Sequence, residues 1–93
     1  MSMRVLISRN ALKHLKKIPR HILIKFDLWV EIIETDGYEA MKMIKGFKDH
    51  ALVGKRIGQR SCYLSRSWRV IYHLDHSTGS VQVEVLEVHN HDY

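Results

Sequence analysis

Cysteine, proline and long hydrophobic runs are scarce in this sequence. Its single cysteine, Cys62, leaves no partner for an intramolecular disulfide, and the first ten residues lack the apolar run of about 7 to 15 residues typical of a signal peptide. The most apolar stretch, residues 22–33, is interrupted by Lys25, Asp27 and Glu31, whereas a bilayer span needs roughly 18 to 20 apolar residues. We therefore expect a cytoplasmic protein that does not cross a membrane.

Signatures of cofactor-dependent chemistry are also missing. The sequence contains no P-loop, no dinucleotide-binding GxGxxG, no HExxH and no GxSxG. The pairs His73/His76 and His89/His91 have metal-ligand spacing, but a structural zinc site needs more ligands at fixed spacing than one cysteine and these pairs offer. The sequence therefore predicts neither a cofactor nor a metal site.

Positive charge, by contrast, is abundant and concentrated. The 93 residues have a formal net charge of +5, and residues 42–69 contain eight Lys or Arg against one acid, Asp49. Residues 26–41 contain five acids and no base, so the two signs are separated along the chain. This pattern predicts one basic face that binds a polyanion, either nucleic acid or an acidic protein. The length predicts a single domain over residues 1–93.

Hydrophobic periodicity changes from helical to strand-like along the chain. A helical stripe follows Pro19, and residues beyond position 58 alternate with period two; the stripe consists of Ile22, Phe26, Trp29, Val30 and Ile33. The predicted elements are a strand at 3–8, helices at 11–17 and 19–36, a short helical turn within 38–44, and strands at 59–65, 68–75 and 80–88. We expect an α+β fold in the order β-α-α-β-β-β, with two N-terminal helices packed on one face of a small, mainly antiparallel sheet.

The residue types permit RNA cleavage without a metal. Such a site needs a base for the 2′-hydroxyl, an acid for the leaving 5′-oxygen and cations for the developing phosphorane. The candidates for these roles are His50, His91, Tyr93, Arg60 and Arg69. Arg60 and Arg69 are expected on neighbouring strands of the open sheet face, where two guanidinium groups would bind one phosphate.

Five cations of the basic block are candidates for RNA binding, together with one aromatic residue. They are Lys48, Lys55, Arg56, Arg60, Arg66 and Trp68. Trp68 begins a strand at the edge of this block and can stack on a base. Solvated surface charge is the alternative for Lys55 and Arg56. We expect His14, His21 and His76 to be ordinary surface residues, His73 a strand residue without a special role, and Cys62 a small buried side chain.

Four segments of the sequence form a recognisable set: KDHAL at 48–52, GQRS at 58–61, WRVIY at 68–72 and HDY at 91–93. They resemble the RelE/ParE superfamily of bacterial type II toxins, and in particular its YafQ-like and HigB-like ribosome-dependent mRNA endonucleases. The resemblance covers almost the whole chain, including the order of its elements. It implies a toxin that cuts mRNA in the ribosomal A site without a metal, and a cognate antitoxin with an acidic or amphipathic segment. Free toxin is expected to be a monomer.

The resemblance also implies catalytic residues. His50 matches the loop histidine of YafQ-like members, and Arg69 matches the strand arginine that supports the phosphate in relatives. At the C-terminal end the matches are His91 and Tyr93 for the histidine and aromatic residue, Asp92 for the acid of HigB-like members, and His89 as a competitor of His91. Ser67 departs from the aspartate that YafQ-like members have before the tryptophan.

Two other functions remain open on the sequence alone. A ParE-like gyrase inhibitor would have the same fold and act by binding a protein. A basic module without catalytic activity would bind RNA in a salt-sensitive, sequence-independent way.

Overall fold

Three helices pack on one face of a five-stranded mixed sheet. A computed structural model describes residues 3–77 and 79–90 of the protein. The elements are β1 (Val5–Ile7), α1 (Arg9–Leu15), α2 (Arg20–Asp36), α3 (Tyr38–Lys42), β2 (His50–Ala51), β3 (Arg60–Tyr63), β4 (Arg69–Asp75) and β5 (Gln82–His89), with 3-10 turns at Lys45–Phe47 and Gly54–Arg56. The strands lie side by side in the order β1-β5-β4-β3-β2.

The predicted α+β class and the order of the main elements are confirmed, with one strand added to the sheet. The added strand is β2, which was not predicted, is only two residues long and contains His50, which was expected in a loop. β1 joins the sheet parallel to β5, so the sheet is mixed, while its other pairs are antiparallel. No described helix is long and apolar enough to cross a membrane.

Most of the core residues contributed by the helices lie in α2. Four of the five residues in the predicted stripe are buried, Ile22, Phe26, Trp29 and Ile33, and the fifth, Val30, is partly buried against the same core. The Trp29 ring meets the buried Tyr72 ring of β4 edge to face at a centroid distance of 5.5 Å, a favourable arrangement for aromatic pairs. Gly37 ends the helix with φ of 97°, a conformation that glycine adopts without steric cost.

A bulge in β5 reverses which side chains face the helices. Ile71 pairs with Glu87 but its neighbour Tyr72 pairs with Val85, so Leu86 is an extra residue in β5. Val83 and Val85 before the bulge and Val88 after it are all buried in the core. As a result, Glu87 and His89 lie on the sheet face opposite the helices, which we call the open face. Without the extra residue, the period-two alternation would have turned both toward the helices.

The N-cap residue of α1 and one side chain within α1 form hydrogen bonds with backbone groups of β5 at this bulge. The Ser8 hydroxyl accepts a hydrogen bond from Ala11 N–H at 3.0 Å as the N-cap of α1, and donates to the Leu86 carbonyl at 3.1 Å. His14 Nδ1 accepts the Val88 N–H at 3.0 Å. The expectation that His14 is an ordinary surface residue is therefore wrong. Helix α1 therefore covers the edge of β5 beyond the end of β1, where an unpaired strand edge would otherwise be exposed.

We predict that Ser8→Ala lowers the free energy of unfolding by about 1 to 2 kcal/mol, because it removes both the helix cap and the bond to the Leu86 carbonyl. Urea denaturation followed by circular dichroism measures this change. The matched control is Ser67→Ala at an exposed position, for which we expect a change of less than about 0.5 kcal/mol. Equal effects of the two substitutions would contradict this account of the bulge.

Candidate active site

Two rows of side chains cross the open face. Direct partners in adjacent antiparallel strands point to the same side of a sheet. The first row contains His50, Ser61, Ile71 and Glu87, which are successive partners across β2, β3, β4 and β5. The second row contains Tyr63, Arg69 and His89. The strands therefore bring His50, Arg69 and His89, three of the predicted catalytic residues, to one face.

Tyr63 lies at the centre of this group. The Arg69 Cζ atom lies over its ring, 4.8 Å from the centroid, and Lys48 Nζ lies over the same ring at 5.8 Å. The His50 ring is 6.2 Å from that of Tyr63. Two cations and an imidazole thus surround one aromatic ring. Tyr63 was not among the predicted site residues; the available signal was the expected burial of Cys62, from which period-two alternation places Tyr63 on the opposite face.

His50 has a defined tautomer in its neutral form. The side chain is exposed, and its Nδ1 lies 2.8 Å from the Lys48 carbonyl oxygen. A carbonyl only accepts, so Nδ1 must carry the proton and donate it. Nε2 of the neutral ring is then unprotonated. An exposed imidazole with an unprotonated ring nitrogen has the form that a general base requires.

His89 occupies a different environment from His50. It is only 8% exposed, and its Nε2 lies 3.1 Å from Glu87 Oε1. Glu87 also accepts a hydrogen bond from Arg56 Nη1 at 2.8 Å, and this bond holds the pKa of the Glu87 carboxyl below its ordinary value. The His14 ring meets that of His89 edge to face at 6.2 Å. These contacts fix the orientation of the buried imidazole.

A buried carboxylate holds the segment that contains Lys48 and His50. The Asp49 side chain is 2% exposed and accepts hydrogen bonds from Arg60 Nη2 at 2.7 Å and Arg60 Nε at 3.1 Å. It also accepts from the Tyr72 hydroxyl, and the Cys62 thiol lies 3.3 Å from it. Burial, together with Asp49, raises the pKa of both Tyr72 and Cys62. Asp49 points into the helix side, while its neighbours Lys48 and His50 flank Tyr63.

The backbone of Lys48 is strained by this arrangement. Its φ of 48° and ψ of 46° are in the left-handed region, and within 3–77 and 79–90 no other residue except glycines has a positive φ. A side chain in this conformation costs roughly 1 to 2 kcal/mol. Favourable contacts nearby must offset this conformational cost, and the buried hydrogen bonds of the adjacent Asp49 carboxylate can do so.

The expected phosphate-binding pair of Arg60 and Arg69 is wrong. Arg60 pairs with Tyr72, whose side chain is buried against the helices, whereas Arg69 pairs with Tyr63 on the open face. The two guanidinium groups are therefore on opposite sides of the sheet. Arg60 is bound to Asp49, and its role in the structure is to neutralise that carboxylate.

The other predicted residues differ in their exposure and contacts. Lys55 and Arg66 are exposed, Arg56 is tied to Glu87, and Trp68 packs partly buried against the core. His73, expected to have no special role, pairs through Nε2 with Glu84 at 2.7 Å. Cys62 is fully buried, as predicted. His91, Asp92 and Tyr93 lie outside the described residues, as does Thr78. Among the described residues, no group of three or more His, Cys, Asp or Glu is placed to hold a metal ion.

Comparison with known proteins gives matches at the level of structure. No family model and no curated protein matches the chain by sequence. Solved toxin structures superimpose over almost its whole length. The chain has the RelE/ParE toxin fold. The DinJ–YafQ toxin–antitoxin complex of E. coli matches at TM-score 0.75 and 17% identity, covering 98% of this chain and 94% of that chain.

Two further structures match the RelE/ParE fold of this protein equally broadly. They are the archaeal RelE–RelB complex from Pyrococcus horikoshii OT3, at TM-score 0.72, 22% identity and coverage of 97% and 96%, and the YoeB dimer from Staphylococcus aureus, at TM-score 0.71, 14% identity and full coverage of both chains. The resemblance inferred from the sequence motifs is thereby confirmed for the fold. At these identities, the function of the RelE-like chain must be argued from its own residues.

We predict that Asp49→Asn destabilises the protein by about 2 to 3 kcal/mol, because it leaves Arg60 without its buried counter-charge. The value is at the lower end for buried pairs, since the Arg60 side chain is 27% exposed and retains some hydration. Urea unfolding measures it, with Asp27→Asn on the exposed surface of α2 as the control. A change no larger than that of the control would mean that Asp49 does not anchor the segment.

A second prediction concerns acid stability. The pKa of Glu87 is lower in the folded protein than its ordinary value of 4.5, so the unfolded state takes up its proton first as pH falls. The stabilisation by Glu87 is therefore fully present above about pH 4.5 and is lost as pH falls through the lower folded pKa.

Unfolding measured at a series of pH values between about 6 and 3 tests this linkage. Glu87→Gln should lose less stability over that range than the wild type, and Glu31→Gln, at an exposed helix position, should follow the wild type. A Glu87→Gln curve parallel to that of the wild type would show that the Arg56 contact does not perturb Glu87.

Proposed function

We propose that this protein is the toxin of a bacterial type II toxin–antitoxin system, acting in the cytoplasm as a ribosome-dependent mRNA endonuclease. In this proposal residues 1–93 act as one RelE/ParE-like toxin domain. A cognate antitoxin with an acidic or amphipathic segment would bind its basic face. Two of the structural neighbours are complexes of such toxins with antitoxins, DinJ with YafQ and RelB with RelE.

One observation carries the catalytic part of the proposal: an exposed imidazole and two cations surround Tyr63 on the same face. A proton acceptor and a guanidinium on the same face are the minimal groups for activating a hydroxyl and stabilising the charge on an adjacent phosphate. A basic cavity of about 290 Å³ adjoins Tyr63 and is lined by Lys25, Lys48 and Arg66 among others. It offers space and positive charge for a single-stranded RNA segment.

In the proposed reaction, Nε2 of His50 removes the proton of a ribose 2′-hydroxyl. The 2′-oxygen then attacks the adjacent phosphorus, and the P–O5′ bond breaks to leave a 2′,3′-cyclic phosphate. Arg69 neutralises the charge that develops on the non-bridging oxygens, and a general acid gives a proton to the departing 5′-oxygen. Each step uses side-chain chemistry alone, so we expect no requirement for a metal.

We assign the acid role to His91, with Asp92 and Tyr93 as supporting residues of the same segment. His89 was the other candidate. Its burial and its contact with Glu87 favour a role in fixing the site beside Arg69 over direct contact with RNA. Lys48, Lys55, Arg66 and Trp68 are proposed to bind RNA, with Arg56 reduced to a supporting role by its ion pair.

We predict that the purified protein shortens mRNA on translating ribosomes in the presence of EDTA. Arg69→Ala, His50→Gln and His91→Gln should each lower the cleavage rate at least about tenfold, equivalent to about 1.4 kcal/mol of transition-state stabilisation. Primer extension on a defined message measures both the positions and the rate of cleavage.

The matched controls are His21→Gln and Arg20→Ala, which change the same residue types at exposed positions on α2. Both should cleave at the wild-type rate. Absence of cleavage by the wild type would refute the nuclease, and inhibition of gyrase supercoiling in the same preparation would support the ParE-like alternative. Salt-sensitive RNA binding alone would leave a non-catalytic basic module.

A further inference from the structure

We propose that Lys48 positions the general base through its main-chain carbonyl: the left-handed conformation of Lys48 turns this carbonyl onto Nδ1 of His50 and thereby keeps Nε2 unprotonated. The inference rests on the proposed nuclease function and adds a positioning residue to it. The contact is direct, because His50 Nδ1 lies 2.8 Å from the Lys48 oxygen. Free histidine in water prefers the opposite tautomer, with its proton on Nε2, so the tautomer of His50 needs such a support.

The backbone conformation of Lys48 explains how a carbonyl two residues away reaches the imidazole. In an extended strand, carbonyl groups point sideways toward the neighbouring strands, whereas side chains stand perpendicular to the sheet. An extended residue has ψ of about 135°, whereas ψ of Lys48 is 46°. This rotation of roughly 90° turns the carbonyl out of the plane of the sheet, and the contact with His50 shows the side to which it turns.

The carbonyl is held in place by contacts on both sides of it. Lys48 N–H donates to the Lys45 carbonyl at 3.1 Å, and the next residue, Asp49, is bound to Arg60 at 2.7 Å. His50 itself is fixed by the pairing of β2 with β3. Because its side chain is exposed, water competes for Nδ1, and a carbonyl that is already in place loses no conformational freedom when it accepts the proton. The conformational cost at Lys48 thus serves the orientation of the base.

Substitutions that differ in their tolerance of the left-handed conformation test this inference. Lys48→Asn and Lys48→Val both remove the ammonium group, but asparagine adopts positive φ readily, whereas the β-branched valine does not. The tautomer is read from two-bond ¹H–¹⁵N correlation spectra of labelled protein at about pH 9, above the range in which histidine titrates. The signals of His50 are identified by their absence from the spectrum of His50→Gln.

The wild type and Lys48→Asn should show the His50 proton on Nδ1, and Lys48→Val should move it toward Nε2. Lys48→Gly, which also permits positive φ, should match the wild type. Lys48→Ala should be intermediate, and it takes the place of Lys48→Val if urea unfolding shows that the valine variant does not fold. A wild type with the proton on Nε2, or one tautomer shared by all the variants, would overturn the proposal.

The cleavage rate gives a second readout. Lys48→Val should have a kcat at least about fivefold below that of Lys48→Asn, although both variants have lost the same charge. In a His50→Gln background the two rates should agree within about twofold, because no imidazole is left to orient. An undiminished difference in that background would overturn the proposal. If the wild type does not cleave, the proposed function fails, whereas the tautomers still decide whether Lys48 positions His50.

Discussion

The buried carboxylate of Asp49 is the interaction on which the arrangement of the open face depends. A charge that is 2% exposed is tolerated only with full compensation, and Asp49 obtains it from Arg60 and the Tyr72 hydroxyl. Asp49 lies between Lys48 and His50 in the chain. Because its side chain is buried on the helix side, the side chains of Lys48 and His50 point toward Tyr63. The strained backbone of Lys48 is the local cost of that turn. A stable ion pair on one side of the sheet thus organises the exposed groups on the other.

The β5 bulge has the complementary effect at the other end of the site. Regular alternation would have turned Glu87 and His89 into the core, and the extra residue Leu86 turns them to the open face instead. Near the bulge, the Leu86 carbonyl accepts a hydrogen bond from the Ser8 hydroxyl, and the Val88 N–H donates one to His14 Nδ1. The first helix therefore supports the open face from its edge, through the backbone of β5 and through the contact of the His14 ring with His89. A substitution in α1 can disturb residues that β5 presents on that face.

Much of this arrangement could be predicted from the sequence, and the failures have definite physical causes. Period-3.6 and period-2 patterns gave the two main helices and the three C-terminal strands, because both depend on which residues are buried. The position of Arg60 was predicted wrongly because parity along a strand does not reveal which face is covered, and a carboxylate 11 residues away can draw an arginine to the helix side. The bulge and the two-residue β2 have no periodic signal. Tyr63 was not predicted for the same reason that Arg60 was misplaced: parity separates it from Cys62 and Leu64, but it is the buried positions of those two residues in the structure that show that Tyr63 faces away from the helices.

The parallel pairing of β1 with β5 determines when the sheet can be completed during synthesis. Ser8 and Leu86, which are bonded in the finished sheet, are 78 positions apart, and β5 lies between β1 and β4. During synthesis the amino-terminal strand has no partner until the final strand has emerged, and closing so long a loop is slow. The open face, with His89 set beside Arg69, can therefore assemble only after β5 has left the ribosome and paired with both β1 and β4.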